Sequence, residues 1–503
     1  MKILLTTLNT KYVHTNIALK YLYETIKDKN TILKEFTINE PIGKVLREIV
    51  KEDADIIAFS VYLWNVEEIL KLSENIKKIK KNVKIILGGP EVTYQSEKIL
   101  KENPAVDYVI IGEGEETFPT LINYFDRNNE EMPAHVSYRI EDGFNIGEIG
   151  LVCDTNKIPR IAEAISSSYD GRIVYIETVR GCPYNCSYCL SSTIKGIRPF
   201  EMERVKEELL ILIKAEVRLI KFVDRTFNYD RKRAMEIWKF LIENNISSEF
   251  HFEISAHLID DEMLEFLSTV PENTFRLEIG VQSTNPVTIK AINRNTDFEV
   301  ITKVTKKIME KGNITTHLDL IAGLPYEDYE RFKESFNDVY NLRPSELQLG
   351  FLKLLSGCQI TKEKDLYEYE YTSYSPYEIL SNKFISFEEI TKLKNVEEMV
   401  DIYYNSMRYQ NSLKYVEEKF NTPYEMYYEL SNYAESNGYF ERKISAEEWF
   451  DVLAKFYIEK GFEDYLDFRN ELRKDHFENF GNKRRRGLKM FESAQGDAQG
   501  DVR

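Results

Sequence analysis

Long apolar runs are missing from this chain. The longest, Ile56–Phe59 and the mostly apolar Lys84–Leu87, are strand-length, far short of the ~20 residues of a membrane span. Cysteine is scarce as well, with five among 503 residues. Five thiols, three of them in one short stretch, build no disulfide framework, so a reducing, cytoplasmic compartment is expected. The start, Met1-Lys2-Ile3-Leu4-Leu5, runs straight into a strand pattern and carries no signal-peptide cleavage region. Positive charge is not in excess either. A net charge of −17 argues against dedicated nucleic-acid binding, whose affinity rests on neutralised phosphates. The one basic run, Lys483-Arg484-Arg485-Arg486, stands beside a Gly/Asp/Gln-rich tail and reads as a solvated terminus.

What is present is repeated alternation. Short apolar strands at Lys2–Leu8, Ile32–Ile38, Asp55–Tyr62, Lys84–Gly88 and Tyr108–Ile111 are separated by amphipathic helical stretches. Continuously apolar strands joined by such helices predict a parallel sheet covered on both faces, a doubly wound fold. Such folds bind ligands beyond the carboxyl ends of their strands. The loops there are Asn9–Asn16, Ser60–Asn65, Gly88-Gly89-Pro90-Glu91 and Gly112-Glu113-Gly114-Glu115. A stretch near Pro133–Tyr169 predicts one irregular hairpin. From Ile173 a second alternation supplies six βα units within about 180 residues, as in a partial barrel whose active site lies at the carboxyl ends of its strands. After about Tyr367 the texture becomes aromatic, acidic and helical. Tyr367, Tyr369, Tyr371, Tyr374 and Tyr377 read as packing surface. The expected division is residues 1–132 doubly wound, 133–169 linker, 170–360 partial (β/α)6 barrel, 361–490 helical, and 491–503 a disordered tail.

One phrase carries most of the chemistry: Cys182-Pro183-Tyr184-Asn185-Cys186-Ser187-Tyr188-Cys189. Three thiolates this close together make no well-formed disulfide network. Soft ligands suit an iron–sulfur cluster, and a cubane held by three cysteines keeps one iron open to a small molecule. A zinc site is the competing reading, but it closes with a fourth Cys or His and none lies nearby.

This CxxxCxxC phrase, with Tyr188 before the last cysteine and six βα units behind it, resembles the radical S-adenosylmethionine (SAM) enzymes. Val223-Asp224-Arg225-Thr226-Phe227, Glu278-Ile279-Gly280-Val281-Gln282-Ser283 and Ile321-Ala322-Gly323-Leu324-Pro325 follow in the expected order. With the Gly-Gly-Pro and Gly-Glu-Gly-Glu loops upstream, residues 1–360 are similar to the branch with an N-terminal cobalamin-binding domain. The C-terminal part is similar to the helical extension of an uncharacterised group within it.

The resemblance implies a [4Fe–4S] cluster on Cys182, Cys186 and Cys189, with SAM on its open iron and reductive cleavage to a 5′-deoxyadenosyl radical. It places Tyr188, Asp224, Glu253, Gln282, Ser283 and Gly323 around SAM. Ser60, Tyr62, Trp64, Gly88, Gly89, Gly112 and Gly114 would lie around cobalamin. An ordinary N-cap role competes for Asp224, and a packed strand salt bridge for Glu253. The Asp-x-His-x-x-Gly motif that supplies a cobalt ligand in many cobalamin folds is absent. His14 in the first loop does not match its spacing, so the lower face of cobalt is left open.

Radical methyl transfer to an unactivated carbon or a phosphorus centre is the leading expectation under anaerobic conditions. A radical cyclisation or rearrangement and a cluster-based redox or cobalamin sensor are the alternatives. The implied partners are a small-molecule, lipid or peptide substrate and an electron donor such as flavodoxin or ferredoxin. No catalytic residue is assigned; His251, His257 and His317 near strand ends are candidates for proton transfer. Cys153 and Cys358 read as buried thiols.

Overall fold

A computed structural model describes residues 1–126, 131–149 and 152–481. The basic run at Lys483–Arg486 and the tail 491–503 lie outside the described residues. The described chain divides into two units. The first is Met1–Gly280, Lys290–Thr315 and Leu352–Ile379; the second is Val281–Ile289, Thr316–Phe351 and the residues from Leu380 onward.

In the first unit, strands β1 (Lys2–Asn9), β2 (Asn30–Thr37), β3 (Ile56–Ser60), β4 (Lys84–Gly88) and β5 (Tyr108–Ile110) pair in parallel. The hairpin expected in the connecting stretch is β6 (Val136–Ile140) and β7 (Gly143–Asn145), which extends the same sheet antiparallel. The order β2-β1-β3-β4-β5-β6-β7 makes a doubly wound sheet that reverses direction between β1 and β3. A ligand crevice forms at that reversal, outside the carboxyl ends.

Side-chain alternation explains the two covered faces. Leu4, Leu8, Ile57, Phe59, Ile85 and Leu87 pack with Val45, Ile49, Ile69 and Leu72 on one face. Ile3, Leu5, Ile56, Ala58 and Ile86 pack with Leu19, Phe118 and Leu121 on the other. Successive residues of a strand point to opposite faces, so both must be apolar when both are covered.

The second alternation begins in the same unit with β8 (Val174–Ile176). A two-residue ladder of β9 (Val179–Arg180) and β10 (Arg198–Pro199) follows, antiparallel to one another. Then β11 (Leu219–Phe222), β12 (Glu249–Ile254) and β13 (Phe275–Gln282) continue parallel to β8. Helices Arg231–Asn244, Asp261–Leu267 and Phe298–Met309 start where Asp230, Asp260 and Asp297 accept backbone N–H bonds from Arg233, Met263 and Glu299. A side-chain acceptor satisfies an N–H that the helix itself cannot. Phe222, Phe227, Trp238, Phe252 and Phe275 form one aromatic cluster beneath these strands.

The second unit holds β14 (Thr315–Ala322) parallel to β15 (Glu346–Phe351), then a helical region. Helix Phe387–Val400 opens on a Ser386/Glu389 capping box and continues directly into a π-turn, Asp401–Asn405. That turn aims the Asn405 amide at β15, where it accepts from Leu347 N–H and donates to Leu347 C=O, both at 2.9 Å. Residues Phe387–Val400 form one continuous helix. Helix Tyr465–Phe480 was not predicted. Its charged texture hides five packed positions, Phe468, Arg469, Leu472, Asp475 and His476. Among the described residues no helix is long and apolar enough to cross a membrane.

Candidate active site

The cysteine loop leaves β8 through Glu177-Thr178 and is closed at its base by the β9–β10 ladder. Gly181 sits at φ +90°, and a Cβ there would lie 1.9 Å from the Gly196 carbonyl oxygen, so only glycine fits. Asp224 is 0% exposed. Its carboxylate accepts from the backbone N–H groups of Thr178 (2.7 Å) and Val179 (3.2 Å) and from the Thr178 hydroxyl. Burial pushes its pKa up to about 7. Asp224 thus shapes the entry to the cysteine loop from beneath, through its bonds to Thr178 and Val179.

Within the loop, Ser187 N–H donates to Ile292 C=O and Ser187 C=O accepts from Ile360 N–H, each at 2.9 Å. Cys189 N–H closes a turn on Cys186 C=O at 3.1 Å. Cys182 Sγ lies 3.4 Å from Thr226 Oγ1. Cys186 is 6% exposed, and burial pushes its thiol pKa up, against a pull from Arg294. No spacing in the sequence points to Arg294, yet it is the cation of this site. Its Nη1 donates to Cys186 Sγ at 3.8 Å and to Tyr188 Oη at 3.1 Å, and its Nη2 bonds Gly280 C=O. Its buried Nε has no hydrogen-bond partner among the described residues. Among those residues, no three His, Cys, Asp or Glu side chains converge on a single metal position. The donor set of three thiols and an open guanidinium N–H suits a cubane with one free corner and a carboxylate-bearing ligand beside it.

At the doubly wound sheet, Gly89 lies at φ +128°, and a Cβ there would come within 2.3 Å of the Val61 carbonyl oxygen. Tyr62 and Trp64 stack at 4.5 Å with a 4° interplanar angle. Trp64 Nε1 donates to Leu8 C=O (3.0 Å) and leaves the ring 42% exposed. Ser60 is buried. Gly88, Gly89, Gly112, Gly114, Ser60, Tyr62 and Trp64 all line one cavity of about 940 Å³. That cavity extends to Arg180, Gly181, Leu190, Ser191, Thr193 and Ile194 around the cysteine loop, and to Val223 and Arg225. His14 lines it too, with Nδ1 2.7 Å from the Tyr175 hydroxyl; burial lowers its pKa. The wall carries half-buried charge. Arg180 meets Glu115 at 2.5 Å, Glu177 at 2.9 Å and Glu113 at 3.3 Å, and Arg198 donates to Glu113 at 3.0 Å.

The other expected residues are engaged locally. Glu253 lies 3.8 Å from Arg225. His251 pairs with Glu278 at 2.8 Å, and His257 Nε2 accepts from Asp297 N–H at 2.7 Å. Cys153 and Cys358 are fully buried, and burial pushes each thiol up to about 12. Gln282, Ser283 and Gly323 belong to the second unit. Gln282 adopts φ +71°. Ser283 Oγ donates to the buried Glu327 at 2.6 Å, and Gly323 C=O accepts from Asn382 Nδ2 at 2.9 Å. His317 lies 3.0 Å from Asp319 in that unit.

A doubly wound sheet followed by a βα domain that opens on a three-thiol loop defines a radical SAM protein with a second cofactor domain. The radical SAM superfamily model matches residues 176–339, the B12 binding domain model residues 3–122, and a family of unknown function, DUF4080, residues 365–498. The chain belongs to the radical SAM enzymes that carry a cobalamin-binding domain, and its cofactors are a [4Fe–4S] cluster, SAM and cobalamin.

It is 24% identical over 396 residues to an uncharacterized methyltransferase of Pyrococcus horikoshii, covering 75% of this chain and 83% of the relative. It is 24% identical over 356 residues to the cobalamin-dependent radical SAM methyltransferase TokK of Streptomyces tokunonensis, covering 65% of this chain and 51% of TokK. The chain therefore spans about half the length of that second relative. Its fold is similar to that of the cobalamin-dependent SAM radical enzyme OxsB with aqua-cobalamin and SAM bound. That match has a TM-score of 0.65 at 16% identity, over 96% of this chain and 84% of OxsB. TsrM of Kitasatospora setae matches with a TM-score of 0.59 at 16% identity, over 72% of this chain and 76% of TsrM.

Proposed function

We propose that this protein is a cobalamin-dependent methyltransferase that uses radical chemistry on an unactivated carbon. The observation that supports it is the shared cavity, in which the Gly88-Gly89 and Gly112–Glu115 loops open onto the same space as Arg180, Gly181, Leu190, Ser191, Thr193 and Ile194 around the cysteine loop. A hydrogen abstracted and a methyl delivered in one space is what such a reaction needs, because a carbon radical must meet its methyl donor before anything else. The relatives named as methyltransferases point the same way.

When bound, the cluster and SAM supply the abstracting radical and cobalamin carries the methyl group. The chain's own residues hold and shield. Cys182, Cys186 and Cys189 would ligate three irons. The Arg294 guanidinium, with its partnerless Nε, would accept a carboxylate next to Cys186. Tyr188 would line the adenine side. Glu253 would take part in the SAM pocket, while Asp224 supports the loop. Ser60, the Tyr62–Trp64 stack and the four glycines would lie against the corrin. The division at residues 132, 169 and 360 assigns cobalamin binding, linker, SAM barrel and helical region in turn. The substrate class is a small molecule, lipid or peptide, and the electron donor is a flavodoxin- or ferredoxin-type protein.

The test is anaerobic turnover of the reconstituted chain with methyl-labelled SAM, a reductant and added hydroxocobalamin. Formation of both S-adenosylhomocysteine and 5′-deoxyadenosine supports the reading. 5′-Deoxyadenosine alone supports a cyclisation or rearrangement, and the lack of both supports a sensor.

A further inference from the structure

The cysteine loop is held at both ends by loops of the doubly wound sheet. Before it, Arg180, two residues ahead of Cys182, is clamped by Glu115 at 2.5 Å and Glu113 at 3.3 Å from the loop after β5. After it, Thr193, four residues past Cys189, accepts a 2.6 Å hydrogen bond from the Tyr94 hydroxyl, and its own hydroxyl donates to Leu190 C=O at 2.6 Å. Tyr94 ends the turn Pro90–Thr93, which begins at Gly89. Its ring is boxed from the other side. A Cβ on Gly357 would fall 2.7 Å from ring atoms of Tyr94, so that segment presents bare backbone to the ring's face. Three residues on, Ile360 N–H bonds Ser187 C=O between Cys186 and Cys189.

We propose that Tyr94 is a positioning residue that sets the separation and angle between the corrin loop at Gly88-Gly89 and the cluster loop. This rests on the function proposed above. The Glu113/Glu115–Arg180 clamp fixes one end of the cysteine loop through charge, and the Tyr94–Thr193 bond fixes the other through a rigid ring. A tyrosine has only two rotatable side-chain bonds, and packing against Gly357 removes most of that freedom. Two pins on opposite ends leave the cluster loop one orientation toward the cavity; one pin leaves a hinge. Tyr94 therefore carries no chemistry itself and decides how near the two cofactors are held.

The test uses the full chain, reconstituted anaerobically with iron, sulfide and hydroxocobalamin. In the reduced protein the cluster and cobalt(II) are both paramagnetic, and pulsed EPR reads their separation. Tyr94→Phe and Tyr94→Ala are expected to keep their iron and corrin while the spread of separations broadens, more so for alanine. S-Adenosylhomocysteine formed per 5′-deoxyadenosine should fall in Tyr94→Ala by on the order of 10-fold to 100-fold, the range an ångström-scale misplacement costs. Thr193→Val should reproduce Tyr94→Phe, and the double variant should be no worse than either. A purely structural role would lower thermal stability and leave the separation sharp. Variants whose separation and product ratio equal those of the wild type overturn the proposal alone. A wild type that takes up no corrin overturns it together with the function on which it rests.

Discussion

The Arg294 guanidinium lies 3.8 Å from the Cys186 thiol and 3.1 Å from the Tyr188 hydroxyl. It brings a half-buried cation to a loop whose three thiols would have to ionise to hold iron. A thiolate is disfavoured by burial and favoured by an adjacent cation, so Arg294 offsets the cost that burial imposes on Cys186. Arg294→Gln is expected to weaken SAM binding by about 10-fold to 100-fold, the worth of one hydrogen bond to a charged group. Equilibrium binding to the reconstituted protein measures this, and an unchanged affinity would remove Arg294 from the SAM site.

Asp224 separates a charge role from a scaffolding role. Asparagine can still accept from Thr178 and Val179 N–H and donate to the Thr178 hydroxyl, so Asp224→Asn should retain its cluster. Asp224→Ala leaves two buried N–H groups without acceptors, at about 1–3 kcal/mol each, and should lose cluster content. Iron and sulfide analysis decides between them. Equal loss in both variants would mean that the carboxylate charge itself acts on a cofactor.

Gly89→Ala adds a Cβ within 2.3 Å of the Val61 carbonyl oxygen at φ +128°. Backbone strain and overlap together cost about 2 kcal/mol or more. The variant should take up little hydroxocobalamin while the cysteine loop still assembles its cluster. The corrin and cluster absorbance bands, read separately, test this; full corrin uptake would take Gly89 out of the cobalamin site.

Much of this was legible in the sequence. Strands β1 and β4 fall where the apolar pattern predicts them, around Lys2–Leu8 and at Lys84–Gly88. Those signals are local, and so is the spacing of Cys182, Cys186 and Cys189. Arg294, Tyr94 and Asp224 act through partners that are distant in the chain. Tyr94 and Thr193 are 99 residues apart, and Arg294 and Cys186 are 108 apart. No periodicity records such pairs. Asp224 shows the same limit: a carboxylate ending a strand looks alike in sequence whether it faces a cavity or holds backbone N–H groups beneath it.

The second unit carries its own pH dependence. Glu327 is 1% exposed, and burial pushes its pKa up to about 7 despite hydrogen bonds from Ser283 and Ser335. The folded state therefore holds a proton that the unfolded chain has released. The associated stability is complete below the unfolded carboxyl pKa of 4.5 and is lost as pH rises through about 7. The loss is on the order of 3 kcal/mol across that window. Glu327→Gln should flatten the difference between urea midpoints at pH 5.5 and pH 8. A wild-type protein no less stable at pH 8 than the variant would contradict a protonated Glu327.

The central claim is that one cavity serves both cofactors, with the three-cysteine loop at its SAM end. Anaerobic turnover with methyl-labelled SAM tests it most directly, comparing the wild type with Cys186→Ala and Gly89→Ala. The account expects 5′-deoxyadenosine and S-adenosylhomocysteine from the wild type. It expects neither product above background from Cys186→Ala, and 5′-deoxyadenosine with little S-adenosylhomocysteine from Gly89→Ala. Formation of 5′-deoxyadenosine by Cys186→Ala, or undiminished S-adenosylhomocysteine from a Gly89→Ala protein stripped of corrin, would contradict it.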